Sequence, residues 1–303
     1  MKLISHYVKT QEEQSPKITN WNNHSINDAL LHSYRSTRYD RTTYPSMLHY
    51  HDYYELVVFL EGDIQYICET QIFTPAPGDI ILIPPGYFHM SKLTQDSTHY
   101  KRHVFYFYPD AFTAITCSAL TAVLTNTKEG LLLSVSDPGI RGELIRLLQN
   151  LQTTLEQPAH ALEQALGLGY LIQIFYLINQ YDRQQKEPAD FLPDQVLELQ
   201  QYIDIHFAEI SSVSQVAEHF YYSREYMSRL FKKHLNTTVS DYIRKRRIGM
   251  SQALIRQGLP LLEVCFQVGF EHPSTFIRAF RSVTGMTPLQ YRQSSIPKTT
   301  PDS

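Results

Sequence analysis

The spacing of apolar residues divides the chain into two textures. From about Ser46 to Tyr108, short runs rich in β-branched and aromatic residues (YYELVVFLEGD, IQYICET, IILIPPGYFHM, KRHVFYFYPD) are broken by Gly, Pro and Asp. Alternation with period 2 between such turn residues predicts the antiparallel strands of a sandwich or small barrel. After Pro138 the period lengthens. Leu144, Leu148, Leu151 and Leu155 form one helical stripe, and Leu162, Leu166, Ile174, Ile178 and Tyr181 form another. Leu171, Ile172, Phe175 and Leu177 fall outside the second stripe, so that helix is expected to pack on more than one surface. A homodimer partner is the natural candidate for the second surface, with packing inside the chain as the alternative.

The segment YDRQQKEPAD, from Tyr181 to Asp190, is polar and holds a proline, which predicts a linker. About a hundred residues beyond it read as all helix. The tail QSSIPKTTPDS has nothing to bury and predicts disorder. The expected organisation is a β domain over residues 1–135, a helical dimerisation segment over 136–182, a linker over 183–192, a helical domain over 193–292 and a tail over 293–303.

The helical domain repeats itself. Val216-Ala217 recurs as Val264-Cys265, Phe231 as Phe280, Asn236 as Gly285, Thr238 as Thr287 and Tyr242 as Tyr291. Each copy has a short helix with a small residue at its centre, a tight turn, a second helix, and a stop at a residue that tolerates positive φ. The small residue, Ala217 or Cys265, allows the steep, close crossing that a helix-turn-helix requires. Ser212 and Ser223 are placed to cap the first pair, and Pro273 suits the first turn of the last recognition helix. Met227, Leu230 and Phe231 in one copy, and Phe276, Phe280 and Val283 in the other, must face the core. By subtraction Arg224, Glu225, Ser228, Arg229 and Lys232 face outward, as do Ser274, Ile277, Arg278 and Arg281. The intervening helix of roughly 19 residues spans about 28 Å. That is close to the ~34 Å between successive major grooves on one face of B-DNA. Both outward faces could then enter adjacent grooves, with the run RKRR (residues 244–247) near the phosphates between them or, alternatively, on a solvated face.

Charge fits this division. The formal net charge is −3, but residues 1–190 carry 14 Lys+Arg against 20 Asp+Glu while residues 191–303 carry 13 against 10. The third of the chain expected to meet DNA is the basic one. Cys68, Cys117 and Cys265 are far apart and indicate neither a disulfide framework nor a metal knuckle. No signal peptide and no membrane-length apolar run is evident, so a cytoplasmic location is expected.

With these residues in view, the segment from about Pro193 to Arg292 resembles the DNA-binding domain of AraC/XylS-type transcription regulators, whose hallmark appears here as LEVCFQVGFEHPSTFIRAFRSVTGMTPLQYR. The resemblance implies base reading by Glu225, Ser228 and Arg229 from one helix and by Ser274 and Arg278 from the other. It favours activation as the output and makes RNA polymerase a possible partner. Cys265 and Asn236 depart from the usual Ala and Gly.

The stretch LHYHDYYELVVFLEG supplies candidate chemistry. With period 2, His49, His51, Tyr53, Glu55, Val57 and Phe59 share one side, and Tyr50, Tyr54, Leu56, Val58 and Leu60 the other. The spacing resembles a cupin: His-x-His, Glu55 and Gly62, then Gly78, Pro84-Pro85-Gly86 and His89. Metal-binding cupins use the positions of His49, His51, Glu55 and His89. Thr43 and Leu93 depart from that pattern, and sensor domains of regulators often carry the element without an ion. A metal-free pocket for a small molecule is the reading adopted, with no cofactor. Arg38, His49, His51, Tyr53, Glu55 and His89 are its candidate effector-binding residues. The 21 Tyr and 15 Phe suit a sugar or similar polyhydroxylated metabolite. Arg35 and Arg38 could instead clamp an anion, or be surface residues.

The expectation is a multidomain α+β protein: a cupin-like antiparallel β-barrel followed by two helices, then an all-α double helix-turn-helix. It is read as an effector-controlled, homodimeric regulator binding tandem major-groove half-sites in double-stranded DNA, with no catalytic residues. A metal-dependent cupin enzyme with an accessory helical domain is the alternative.

Overall fold

The computed structural model describes residues 21–27, 30–44, 46–108, 131–134, 137–157, 161–180, 184–185 and 190–295. The tail from 296 onward, Tyr181 and Cys117 lie outside them.

Eleven strands among the described residues form two antiparallel sheets. The larger holds β1 (Trp21–Asn27), β2 (Leu30–Asp40), β3 (Tyr54–Glu61), β6 (Ile80–Ile83), β8 (Ser97–Phe107), β9 (Leu131–Ser134) and β10 (Gln184–Gln185), in the order β1-β2-β8-β3-β6-β9-β10. The smaller holds β4 (Ile64–Cys68), β5 (Gln71–Phe73), β7 (His89–Leu93) and β11 (Asp190–Phe191), in the order β11-β5-β4-β7. Alternation sets their two faces. Tyr53, Val57, Phe59, Ile81, Tyr100, Val104 and Tyr106 point inward, where they meet Ile64, Tyr66, Cys68 and Phe73 of the smaller sheet. Tyr54, Leu56, Val58, Ile80, Leu82, Phe105 and Phe107 point outward, onto helices.

Those helices are α1 (Pro138–Leu155) and α2 (Ala161–Gln180). Asp137 caps α1 by accepting from the Ile140 N–H at 3.0 Å, with Pro138 in the first turn. Leu144, Leu147, Leu148 and Leu151 bury against the sheet together with Leu171, Ile174, Phe175 and Ile178 of α2. The stripe expected on α2 is therefore displaced. Leu162 and Leu166 are 80% and 50% exposed, whereas Leu171 and Phe175, expected outside the stripe, lie in the core. The barrel reaches only the C-terminal half of α2, and periodicity cannot show where a supporting sheet ends.

The expected linker is held down wherever it is described. Gln184–Gln185 pairs with β9, Asp190–Phe191 pairs with β5, and the Leu192 N–H donates to the Thr70 carbonyl at 3.0 Å.

The C-terminal unit has seven helices: α3 (Asp194–His206), α4 (Val213–His219), α5 (Arg224–Leu235), α6 (Val239–Arg256), α7 (Leu261–Gln267), α8 (Pro273–Thr284) and α9 (Pro288–Ser295). The predicted punctuation is in place. Ser212 accepts from the Gln215 N–H at 3.2 Å and Ser223 from the Tyr226 N–H at 3.1 Å. Asn236 (φ 48°) and Gly285 (φ 78°) end α5 and α8 in the left-handed conformation. Val216 and Ala217, like Val264 and Cys265, are buried at the centres of the two short helices.

Gly269, in the turn after α7, has φ +83°, and a Cβ there would stand 2.2 Å from the Ala208 carbonyl oxygen. Backbone cannot yield as a side-chain tip does. Gly269→Ala combines left-handed strain with overpacking and is expected to lower stability by about 3 kcal/mol. Urea unfolding of the full chain checks this, and an unchanged midpoint would contradict the close approach.

No helix among the described residues is long and apolar enough to cross a membrane.

Candidate nucleic-acid interface and effector site

On α5, Met227 and Phe231 are buried and Leu230 packs against them, which leaves Arg224, Glu225, Ser228, Arg229 and Lys232 exposed. On α8, Phe276 and Phe280 are buried and Val283 packs beside them, which leaves Ser274, Ile277, Arg278 and Arg281 exposed. All nine residues expected to face outward do so. The 18 residues of α6 join the two units and span about 27 Å. Between the units lies a cleft of about 430 Å³ whose lining includes Arg244, Arg247, Arg278, Ser212, Ser240 and Thr275. The Arg244 guanidinium and the hydroxyls there suit phosphate oxygens.

The run RKRR is mostly turned away from such a role. Arg244 is exposed and bonds Asp241 at 2.7 Å. Lys245 donates to the Leu48 carbonyl of the barrel at 2.7 Å. Arg246 pairs with Asp204 at 3.0 Å and Glu69 at 3.6 Å, with its guanidinium 5.5 Å from the Phe88 ring centroid. Arg247 donates to the Phe207 and Ile210 carbonyls. Of the run expected beside the phosphates, Arg244 alone is left exposed, because the barrel, α3 and the segment after α3 engage the other three.

Those contacts belong to an interface between barrel and helical unit that composition could not show. Leu48, Tyr50, Phe88 and Met90 share one core with Val196, Ile203, Phe231, Tyr242 and Ile243. The Phe88 and Tyr242 rings meet at a tilt, 4.8 Å apart. Arg256 reaches Asp52 at 2.8 Å and Lys92 donates to the His234 carbonyl at 2.7 Å. Gly249 admits Tyr50 so closely that a Cβ would lie 3.0 Å from its ring. Burial raises Glu69 to about 7 and Asp204 to about 6, against the opposing pull of Arg246.

The histidine cluster forms as the spacing implied. His51 and His89 direct Nε2 at one Glu55 oxygen, at 2.9 and 3.3 Å, and the His49 and His89 rings are 4.1 Å apart. His49, His51 and His89 each turn Nδ1 to a backbone carbonyl, of Met47, Tyr53 and Tyr87 respectively. Those bonds fix the tautomer and leave Nε2 facing inward. Burial, aided by His89, lowers His49 to about 3. Burial also pushes the Glu55 carboxyl up, but the bonds from His51 and His89 prevail and hold it well below its usual range. His51 faces two acceptors and would satisfy both only by holding a second proton, which burial disfavours. A divalent cation would satisfy the same donors without that proton, and His49, Glu55 and His89 could hold one, with ligand atoms within 4.8 Å of one another.

From this cluster polar contacts continue into the barrel. Tyr53 stacks on His51 at 4.2 Å and meets Tyr106 edge-on at 5.5 Å, and Arg35 donates to the Tyr106 hydroxyl at 2.7 Å. Arg38 is not among these groups. In β2, Tyr39 is buried inside, so Arg38 falls on the outer face, opposite His99, and is exposed. The alternation predicted from Ser46 onward does not extend to residues 30–40 and so assigns Arg38 no face. Arg102, absent from the expected pocket, shares the inner parity of Tyr100, Val104 and Tyr106 in KRHVFYFYPD, which is the signal that places it inside.

Comparison with known proteins agrees with both halves. Residues 31–174 match the AraC-like ligand binding domain, and residues 216–294 match a helix-turn-helix domain. The chain is 32% identical over 92 residues to the regulatory protein SoxS of Escherichia coli K12, covering 30% of this chain and 86% of SoxS. It is 24% identical over 247 residues to the transcriptional activator RhaS of Enterobacter sp. strain 638, covering 81% of this chain and 87% of RhaS. It is 23% identical over 253 residues to the HTH-type regulator YdeC of Bacillus subtilis, covering 81% and 86%. These relatives are transcription regulators, which disfavours the cupin-enzyme alternative. A ligand-binding barrel joined to a doubled helix-turn-helix thus makes this chain a member of the AraC/XylS family of transcription regulators.

Proposed function

We propose that the protein is a cytoplasmic, homodimeric transcription activator whose output is set by a small hydroxylated metabolite, a sugar or sugar-like compound, bound in the barrel. The observation that carries this reading is the segment Leu48–Tyr53. Its odd members His49, His51 and Tyr53 enter the polar cluster, while Leu48, Tyr50 and Asp52 contact the helical unit. A ligand that moves one row of side chains moves the other, and it biases the DNA-binding unit only insofar as it binds the two arrangements with different affinity. Arg224, Glu225, Ser228, Arg229 and Lys232 enter one major groove, and Ser274, Ile277, Arg278 and Arg281 the next. The exposed Leu162 and Leu166 of α2 extend beyond the barrel and supply apolar surface for a second copy. Activation follows the printed name of RhaS and implies contact with RNA polymerase.

Selection of bound duplexes from a random library with the full chain is expected to return two short motifs about 10 base pairs apart, one helical turn. Their affinity should fall steeply with salt. Recovery of a single uninterrupted motif would exclude simultaneous reading by both helices.

A further inference from the structure

Among the described residues, the inner wall of the barrel holds a cation that no carboxylate neutralises. Arg102 on β8 lies with its guanidinium carbon 3.9 Å from the Tyr100 ring centroid, and its Nη1 is closed off from solvent without a hydrogen-bond partner. Among the described residues it makes no ion pair. The groups that act on its charge most strongly are phenols, those of Tyr100, Tyr66, Tyr44 and Tyr39. Burial holds Tyr66 and Tyr100 above their ordinary values and raises Tyr44 to about 12, so these hydroxyls stay neutral. A guanidinium does not shed its proton to escape burial. Its full charge is therefore left facing the lumen.

A second, independent observation lies on the neighbouring strand. The hydroxyl of Thr37 is also buried without a partner. In the β2–β8 register Thr37 stands opposite Tyr100 and Arg35 opposite Arg102, so Thr37 and Arg102 are diagonal neighbours on the inner face. Two buried donors without partners thus stand on adjacent strands of one face. Buried polar groups are ordinarily paired, and two neighbouring donors of this kind suit an acceptor brought by a ligand.

We propose that the barrel is an anion receptor in which Arg102 and Thr37 take the carboxylate of a small hydroxylated acid, with tyrosine rings as its walls. The inference rests on the barrel being the effector site and sharpens it from a sugar to a sugar acid. Arg102 is the guanidinium without a hydrogen-bond partner, whereas Arg35, opposite it on the same face, is engaged by Ser33 and the Tyr106 hydroxyl, so one carboxylate is enough to complete the site. The planar fork of arginine also matches the two carboxylate oxygens. Hydroxyls on the ligand would face the Tyr53, Glu55 and histidine pole, linked to this one through Tyr106 and Arg35.

Thermal melting of the full chain tests this, with glucuronate, galacturonate and gluconate as probes against glucose, galactose and inorganic phosphate. At least one acid should raise the melting temperature by about 3 °C or more at saturation. Its neutral counterpart and phosphate should not. Arg102→Met should abolish the shift while melting, without ligand, at or above the parent temperature, because an unpaired buried charge has been removed. Thr37→Val, which keeps the side-chain shape, should weaken the acid about tenfold. No shift with any acid, a shift that survives Arg102→Met, an affinity unchanged in Thr37→Val, or a ligand-free melting temperature lowered in both variants each overturns the receptor. Shifts with glucose or galactose alone, lost in Tyr53→Ala, would overturn the anion assignment while leaving the barrel as the effector site.

Discussion

Replacing Arg246 with alanine is expected to separate the helical unit from the barrel. Arg246 stands between Glu69 of the barrel and Asp204 of α3, with Phe88 beside its guanidinium and the Gly86 carbonyl 3.5 Å away. Without it two buried carboxylates face each other with no cation between them. Breaking a buried pair by removing one partner costs about 3–5 kcal/mol. The lower end applies here, because Glu69, already near 7, can relieve the strain by taking up a proton. The melting curve of the full chain should change from one transition to two, with the earlier one several degrees below the parent midpoint. A variant melting like the parent would remove Arg246 from the interface. The same carboxylates set the pH response. Their folded values, about 7 and about 6, lie above the ordinary 4.5 and 3.8, so the closed form holds protons that the separated chain would release. Their contribution is complete below about pH 4 and is lost as pH rises through 6 and 7. The interface should therefore be looser at pH 8 than at pH 5.5, and Glu69→Gln should flatten the difference.

Loss of both Arg229 and Arg278 should have the largest effect on operator binding. Each is exposed at the middle of its helix and belongs to no hydrogen bond or ion pair among the described residues, so alanine should leave the fold intact. An arginine fork on guanine contributes about 1–3 kcal/mol of discrimination. Sites this far apart add nearly independently. The double substitution is thus expected to weaken a specific site by about 10²- to 10⁴-fold while changing nonspecific binding little. Fluorescence anisotropy on a selected operator measures this. Equal loss on operator and random duplex would show that the two arginines touch phosphate rather than bases.

Much of the architecture could be read from local pattern because its causes are local. The parity of Tyr53, Val57 and Phe59 against Tyr54, Leu56 and Val58 separates the inner face from the helix-covered one. The repeat separates Arg229 and Arg278 from Phe231 and Phe280, since each helix must bury one side. What escaped depends on residues far apart in the chain. Nothing near RKRR shows that Glu69, some 177 positions earlier, claims Arg246, and a basic run on a helix otherwise reads as solvated or phosphate-bound. Arg38 gains its parity only from the pairing of β2 along β8, so no local pattern separates it from the pocket. Leu162 and Leu166 follow the helical period of α2 past the edge of the sheet that would bury them.

The pairing of Asp190–Phe191 with β5 leaves only Leu192 and Pro193 before α3 begins. A tether this short keeps the helical unit beside the barrel at an effective concentration on the order of millimolar or higher. An interface with no more than millimolar affinity between separate molecules would then be closed about half the time. From that balance, a differential effector affinity of about 1.4 kcal/mol shifts the open-to-closed ratio tenfold. A modest ligand can therefore govern a large domain because the connection keeps the two states within reach of each other.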